Sequence, residues 1–415
     1  MSNVIIVGAG LSGLACAREL ARHGITATVF EEQTQVGGRA STLRTDSGFL
    51  LDRGFQVLLT AYPEAQRVFD YDALELGFFL PGALVRWNKR FYTVADPLRS
   101  PRYLLQSALA PIGSLGDKRR IAQLQFEALR PRFGDFSGPE TTTLEALQRR
   151  GMSPTIIDRF FRPFFGGIFL ESELSTSDRM FEFVFKMFSL GFAALPRNGM
   201  GALAEALRDQ LPGDRVRCST PVSRVSAHAV ELAHGEGVSG DAVVVATDGV
   251  AAHHLIGMDA QPLRGVTNLY FSATRSPLEA PFLVLNGEGR GLINNLAVPS
   301  DIAPSYAPPG AALISITVLS EKAMGQSAPE LSTAVLSEAR EWFGKTTTDW
   351  EFVGGFSIER ALPIQKPPYF SRSPGLPESV DGVFRCGDYL TNGSIQGALL
   401  SGRLVAEKVI GHLRG

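Results

Sequence analysis

Apolar positions near the start of the chain run Val4 to Val7 and stop at a glycine; Leu14, Ala17 and Ala21 then recur at spacings of three and four. That pattern predicts a strand, a tight turn and a helix packed on it. Gly24 closes the helix, Thr26 to Phe30 is rich in strand-forming residues, and Glu31 ends the second strand, completing a βαβ unit. From Leu98 to about Leu195 the periodicity becomes helical, with stretches at Lys118 to Arg130 and Ser153 to Phe165 between Pro, Gly and Ser clusters. A helix is predicted over Gly199 to Leu211, strands over Arg215 to Val225 and Ala229 to Leu232, and a buried strand over Asp241 to Ala246. Strand-like runs at Val266 to Ala273, Phe282 to Leu285 and Leu313 to Leu319, linked by Pro299 to Gly310, predict an antiparallel sheet carrying the helix Pro329 to Trp342. A strand at Gly382 to Cys386 and the stripe Leu400, Leu404, Val405 and Val409 end the chain on a helix.

These elements predict an α/β protein with a discontinuous Rossmann-like domain, residues 1–75, 197–261 and 351–415, and an α+β substrate domain, residues 76–196 and 262–350. The substrate domain combines a helical lobe with the antiparallel sheet. At 415 residues, 44% hydrophobic and with net charge −2, the chain is long enough for two domains and carries no composition of disorder, collagen or a disulfide scaffold. Cys16, Cys218 and Cys386 lie far apart with no CxxC pair, and no histidines recur at ligand spacing, so no metal site is expected. No leader is visible, and no apolar run reaches the roughly 18 residues of a spanning helix. The expected location is cytoplasmic, with peripheral membrane contact as an alternative.

The strand–turn–helix carries V-G-A-G-L-S-G-L, in which Gly8, Gly10 and Gly13 fit G-x-G-x-x-G. Gly8 allows the tight turn, Gly10 admits a pyrophosphate near the backbone, and Gly13 lets helix and strand pack closely. The helix N-terminus faces the phosphates, and Glu31, 18 residues after Gly13, is placed to accept hydrogen bonds from a ribose diol. Gly37-Gly38-Arg39 follows, with two glycines for close approach and an arginine able to bridge phosphate oxygens.

Here the sequence resembles the flavin-containing amine oxidase superfamily, which includes phytoene-type desaturases, hydroxysqualene dehydroxylases and protoporphyrinogen oxidases. The shared pattern falls on Gly8, Gly10, Gly13, Leu14, Ala17, Leu20, Gly24, Val29, Glu31, Gly37, Gly38 and Arg39. Asp52-Arg53-Gly54-Phe55-Gln56 resembles the family's D-x-G segment near the isoalloxazine, with Gln56 on the substrate face. Thr220-Pro221-Val222 resembles the strand that holds the adenine end. Cys386-Gly387-Asp388 and Gly393 to Ala398 resemble the C-terminal flavin motif, whose helix N-terminus is aimed at flavin N1 and the C2 carbonyl. The resemblance implies FAD contacts at Gly8, Gly10, Leu11, Ser12, Gly13, Glu31, Gly38, Arg39, Gly54, Val222, Gly387, Asp388, Gln396, Gly397 and Ala398. Gly354-Gly355 is followed by Phe356 rather than cysteine, so noncovalent FAD is expected. Cys386 itself reads as a packed small hydrophobe.

The resemblance implies an FAD-dependent oxidoreductase that dehydrogenates or desaturates a hydrophobic, isoprenoid-like substrate, with oxygen or a quinone as electron acceptor. No second G-x-G-x-x-G supports a built-in nicotinamide step. Protoporphyrinogen oxidation is the alternative. Amine oxidation ranks below it, because Pro262 to Asn268 lacks the lysine of amine-oxidising members. A prenyl-binding module of the GDP-dissociation-inhibitor type is the non-enzymatic alternative, opposed by the complete glycine set. No catalytic acid or base stands out. The aromatic run from Phe160 to Phe192 reads first as a lobe core and second as a greasy tunnel. Arg86 to Arg132 holds ten Lys and Arg against three Asp and Glu, which suits either a solvated face or a membrane surface, and no nucleic-acid reading motif accompanies it.

Overall fold

The computed structural model describes residues 2–257, 262–371 and 379–415. The domain boundary expected at residue 261 lies outside them. The first βαβ unit forms as Asn3–Val7, Leu11–Arg22 and Thr26–Phe30. It seeds a five-stranded parallel sheet in the order Val216–Arg217, Thr26–Phe30, Asn3–Val7, Ala242–Val245, Phe384–Arg385. Ala242–Val245 is buried along its whole length, as its unbroken apolar text requires of a central parallel strand. Three distant stretches of chain therefore build one sheet.

The strand expected over Arg215 to Val225 divides in two, at Val216–Arg217 and Val222–Val225. Ser219 has φ +52°, Pro221 has no N–H to give a ladder, and the intervening backbone instead donates from Ser219 to Gln33 O and from Thr220 to Glu31 O, each at 2.8 Å. That diversion carries Val222 to the end of the second strand.

The larger sheet has seven strands in the order Glu351–Pro363, Leu263–Ala273, Ala312–Leu319, Ile293–Ala297, Leu283–Asn286, Gly82–Trp87, Arg90–Ala95. All its pairs are antiparallel except Leu283–Asn286 with Gly82–Trp87. The last two strands form a hairpin across Asn88 and Lys89, both at positive φ, as a two-residue turn matched to strand twist requires. The sequence division places Glu351–Pro363 in the nucleotide domain, yet its hydrogen bonds run to Leu263–Ala273 in this sheet. We propose the same two-part division with that strand counted in the substrate domain.

The alternation of strands gives this sheet two unlike faces. Leu269, Phe271, Ile314, Ile316 and Val318 pack on the helix Ala328–Phe343 through Leu331, Val335 and Ala339. The opposite face carries Asn268, Tyr270, Ser315 and Thr317, all buried. Asn268 donates to Ser315 Oγ at 3.1 Å and accepts from Thr317 Oγ1 at 3.1 Å, so its burial leaves no amide group stranded.

Helices expected at Lys118 to Arg130 and Ser153 to Phe165 appear as Leu115–Ala128 and as a continuous stretch of Pro154–Ile156, a π turn at Ile157–Phe161, and Arg162–Phe169. The first starts early because Ser114 and Asp117 form a reciprocal capping box. In the second, Pro163 has no N–H to donate, and the π turn immediately before it absorbs the misfit.

The chain ends meet where the helix Leu11–Arg22 crosses the C-terminal helix Ile395–Arg414. A Cβ on Gly402 would stand 2.2 Å from Ser12 O. Gly402→Ala should therefore push the helices apart, lowering unfolding free energy by about 2–3 kcal/mol in a urea titration and weakening retention of bound cofactor.

Candidate functional site

The glycine turn is held from three sides. Gly8, at φ +107°, has Ala246 O 3.0 Å from where a Cβ would lie, and Gly13 has Gly8 O at 2.1 Å, so neither tolerates a side chain. Gly10 differs: a Cβ there would meet nothing within 4 Å, leaving its side of the turn open. The buried Glu31 carboxylate accepts from Ala9 N at 2.7 Å and Gln33 N at 3.0 Å, one bond per oxygen, which leaves lone pairs for further donors. Gly37 N donates to Ala9 O at 2.9 Å and pairs as a bridge with Gly10, so the second glycine motif is clamped beside the first.

Arg39 and Asp388 meet directly across 349 positions of sequence. The guanidinium donates to both carboxylate oxygens, at 2.9 and 2.7 Å, and to Ala361 O at 3.0 Å on the seven-stranded sheet's edge. The sequence places both residues at the flavin, but not against each other, since spacing along the chain says nothing about which motifs face each other. Gly387 N donates to Ser401 Oγ at 2.9 Å, fixing the C-terminal motif to its own helix. That helix is N-capped by Ser394, which accepts from Gly397 N at 3.0 Å. A Cβ on Gly397 would strike Asn392 O at 1.9 Å.

Other expected residues fall into place with different jobs. Gln396 accepts from Glu64 N at 2.8 Å, so its side chain anchors a neighbouring helix, and only its backbone belongs to the helix start. Gln56, expected on the substrate face, donates to Arg39 O at 2.7 Å and Arg53 O at 3.0 Å, while its neighbours Phe55 and Val57 line the cavity described below. Gly54, at φ +91°, lies against Ile358. Leu11, Ser12 and Ala398 sit in the first turns of the two crossing helices, and Val222 stands two residues beyond the Thr220–Glu31 link, paired with Leu232. Gly38, at φ +56°, lies over the Gly10 Cα. Cys386 is fully buried, and its hydrogen bond with Cys16 together with burial holds the thiol well above its ordinary pKa, which keeps it an inert packed group.

Asp52, from the D-R-G segment, is a buried hub that the sequence did not announce. It accepts from Thr42 Oγ1 at 2.5 Å, Met200 N at 2.9 Å and Tyr306 Oη at 2.6 Å, while its backbone carbonyl takes the Tyr270 hydroxyl at 2.8 Å. Tyr306 and Tyr270 come from the substrate-domain segment, so this aspartate stitches the two regions together.

A cavity of about 450 Å³ lies between the D-R-G loop, the far strands of the large sheet and the helical lobe. Phe160, Phe164, Phe185 and Phe188 line it, while Phe169 and Phe181 are sealed in the lobe core, so the aromatic run serves both readings.

Residues 11–410 match the profile of the flavin containing amine oxidoreductase family. The chain belongs to that family. It is an FAD-dependent oxidoreductase, of mixed α/β fold with a parallel nucleotide sheet. Among its relatives, protoporphyrinogen oxidase 2 of Arabidopsis thaliana is 29% identical over 168 residues, 40% of this chain and 32% of that protein. Phytoene desaturase of Neurospora crassa is 44% identical over 57 residues, 14% of this chain and 10% of that protein. The matched stretches thus span about a third or less of these curated relatives. Solved structures resemble the flavoprotein over nearly its whole length: an oxidoreductase from Methanosarcina mazei, TM-score 0.77 at 19% identity, covers 98% of this chain and 100% of its own. Putrescine oxidase bound to putrescine superposes with TM-score 0.70 at 16% identity, covering 99% of each chain. These likenesses are of fold.

Two outcomes follow from the site's charges. Asp388→Ala leaves the Arg39 guanidinium unmatched against a buried wall and should cost about 1–3 kcal/mol of stability, discounted because Arg39 is a third exposed. In the double variant with Arg39→Ala, denaturant titration should show less than the sum of the single losses. Burial pushes the Asp52 carboxyl up to about 6 from 3.8, against the pull of its three donors. Because the folded-state pKa is the higher, this contribution is complete below the unfolded value and is lost as pH rises through about 6, a fall of about 3 kcal/mol. Unfolding free energies measured from pH 4 to 7 should show that component in the native protein and lose it in Asp52→Asn.

Proposed function

We propose that the flavoprotein dehydrogenates or desaturates a hydrophobic, isoprenoid-like substrate on noncovalently bound FAD, with oxygen or a quinone taking the electrons. The observation that carries this reading is the apolar, phenylalanine-lined cavity whose wall includes Phe55 and Val57 of the D-R-G loop, next to residues bonded into the dinucleotide cleft. The residues present fit the cofactor: the open side of Gly10 and the free first-turn N–H groups of its helix suit a pyrophosphate, and the Glu31 oxygens retain acceptor capacity for ribose hydroxyls. Gly38, Arg39, Gly54, Val222, Gly387 and Asp388, with the backbone of Gln396, Gly397 and Ala398, complete the proposed cradle. Bound FAD supplies a ring that accepts hydride from carbon.

The chain's own contribution is orientation and dryness. The cavity aromatics present a non-polar wall that excludes water and grips hydrocarbon by contact area alone. The C-terminal helix turns its positive end, capped by Ser394, toward the cleft, where negative charge is favoured. Pro262 to Asn268, the stretch comparable to the one where amine-oxidising members place a lysine, carries none here, and Asn268 spends its amide on Ser315 and Thr317. That favours a carbon donor over an amine.

The sequence likeness to protoporphyrinogen oxidase supports a second reading, a porphyrinogen macrocycle in the same cavity. Anaerobic mixing separates the readings. Carotenoid precursors should bleach the flavin absorbance, porphyrinogens more weakly, and simple amines should leave it unchanged. Rapid bleaching by an amine, or by porphyrinogen alone, would overturn this ordering.

A further inference from the structure

Five of the thirteen exposed large apolar side chains among the described residues fall within one short stretch of chain. Leu98, Leu104, Leu105, Leu109 and Leu115 lie between 53% and 79% exposed on the short helix Leu104–Leu109 and the ends of the segments flanking it. No residue of that helix is buried. Folding alone gives no reason for such a helix, because its apolar side chains gain nothing from facing water. It is nevertheless held in place: Ser107 Oγ accepts from Ala95 N at 2.9 Å, and Lys118 donates to Ala108 O at 2.5 Å and Ala110 O at 3.2 Å. On the following helix, Leu115, Arg119, Phe126 and Leu129 fall on one stripe, and three of the four are exposed leucine or phenylalanine.

The same elements close the cavity. Leu104, Ala108, Leu115 and Lys118 line it from the outside, and Phe192, itself exposed, lines it under the Arg99 guanidinium, 4.1 Å from the ring centroid. The exposed apolar helix therefore forms part of the wall between the chamber and solvent. Arg102, just before that helix, and Arg119, on the stripe of the following one, are exposed, and Arg99 and Lys118 line the cavity. The three acidic residues of the segment Arg86 to Arg132 are each engaged: Asp117 is fully buried and accepts four bonds from Ser114 and Ser153, Asp96 at the cavity accepts from Leu98 N and Gln125 Nε2, and Glu127 pairs with Arg150. The outward charge of this face is positive on a chain whose total is −2.

We propose that this face docks on an anionic lipid surface, the leucines entering the acyl boundary and the arginines meeting headgroup phosphates, so that substrate passes between bilayer and cavity without crossing water. The proposal rests on the hydrophobic-substrate reading above and adds its partner. Apolar residues on a basic collar match such a surface in both respects, whereas a neutral protein partner would leave the arginines unmatched.

The test is flotation of the FAD-loaded protein with phosphatidylglycerol-rich and with pure phosphatidylcholine vesicles, at low and high salt, and needs no substrate. The native protein should float with the anionic vesicles at low salt, and salt or neutral lipid should release it. Leu105→Glu with Leu109→Glu should reduce the floated fraction roughly tenfold, and Arg102→Glu with Arg119→Glu should do likewise. Bound flavin and melting temperature should be unchanged in both. Native protein left in the unbound fraction with anionic vesicles at low salt would overturn the proposal, as would leucine variants that float normally. Light scattering that showed a dimer dissolved by the leucine substitutions would reassign the face to a second copy of the chain and also overturn it. Turnover of detergent-dispersed substrate is read separately, so failed docking with intact turnover sinks this inference alone, and absent turnover with intact docking sinks the functional reading alone.

Discussion

The structure depends on backbone meeting backbone where a side chain would forbid it. Gly13 packs on the Gly8 carbonyl, and Gly402 packs on the Ser12 carbonyl, each closer than any Cβ allows. The first contact seats the opening helix on the parallel sheet. The second brings the last helix across it, so both helices present their N-terminal turns to one cleft. Without that approach the C-terminal motif would have no fixed relation to the N-terminal one.

Polar groups then hold the pieces that the glycines bring near. The Arg39–Asp388 pair joins motifs from opposite ends of the chain and reaches the seven-stranded sheet through Ala361. Asp52 gathers Thr42, Met200 and Tyr306, and its backbone takes Tyr270. Buried charges contribute little net stability compared with apolar packing, but an unmatched one is costly, so such links select one arrangement of the two regions over others. The cleft at the glycine motifs and the apolar cavity are kept in register by these few directional bonds.

The large sheet shows how one element serves two environments. Its alternation gives Leu269, Phe271 and Ile316 to the helix behind and Asn268, Tyr270 and Ser315 to the inner face. The helical lobe divides its phenylalanines the same way, some sealed in a core and some lining the cavity. Both cases follow from the geometry of regular structure, which sends neighbouring side chains in different directions and lets a run of like residues do unlike work.

Local pattern was enough for the parts of this protein governed by local physics. The opening βαβ unit, the three-glycine turn, Glu31 at the strand end and the C-terminal helix were legible because turn geometry, helix period and strand propensity act over a few residues. The hairpin across Asn88 and Lys89 carries only a faint local signal, a two-residue turn without glycine between two short strands. Ile293–Ala297 had almost none, since two of its five residues are asparagines whose amides are satisfied only by Pro163, Thr317 and each other once folded. The partnership of Arg39 with Asp388, the role of Asp52, the turning inward of Gln56 and Gln396, and the exposure of Leu105 and Leu109 were decided by tertiary structure. Each depends on which surfaces face one another across hundreds of residues, and long-range packing sets that where sequence spacing does not.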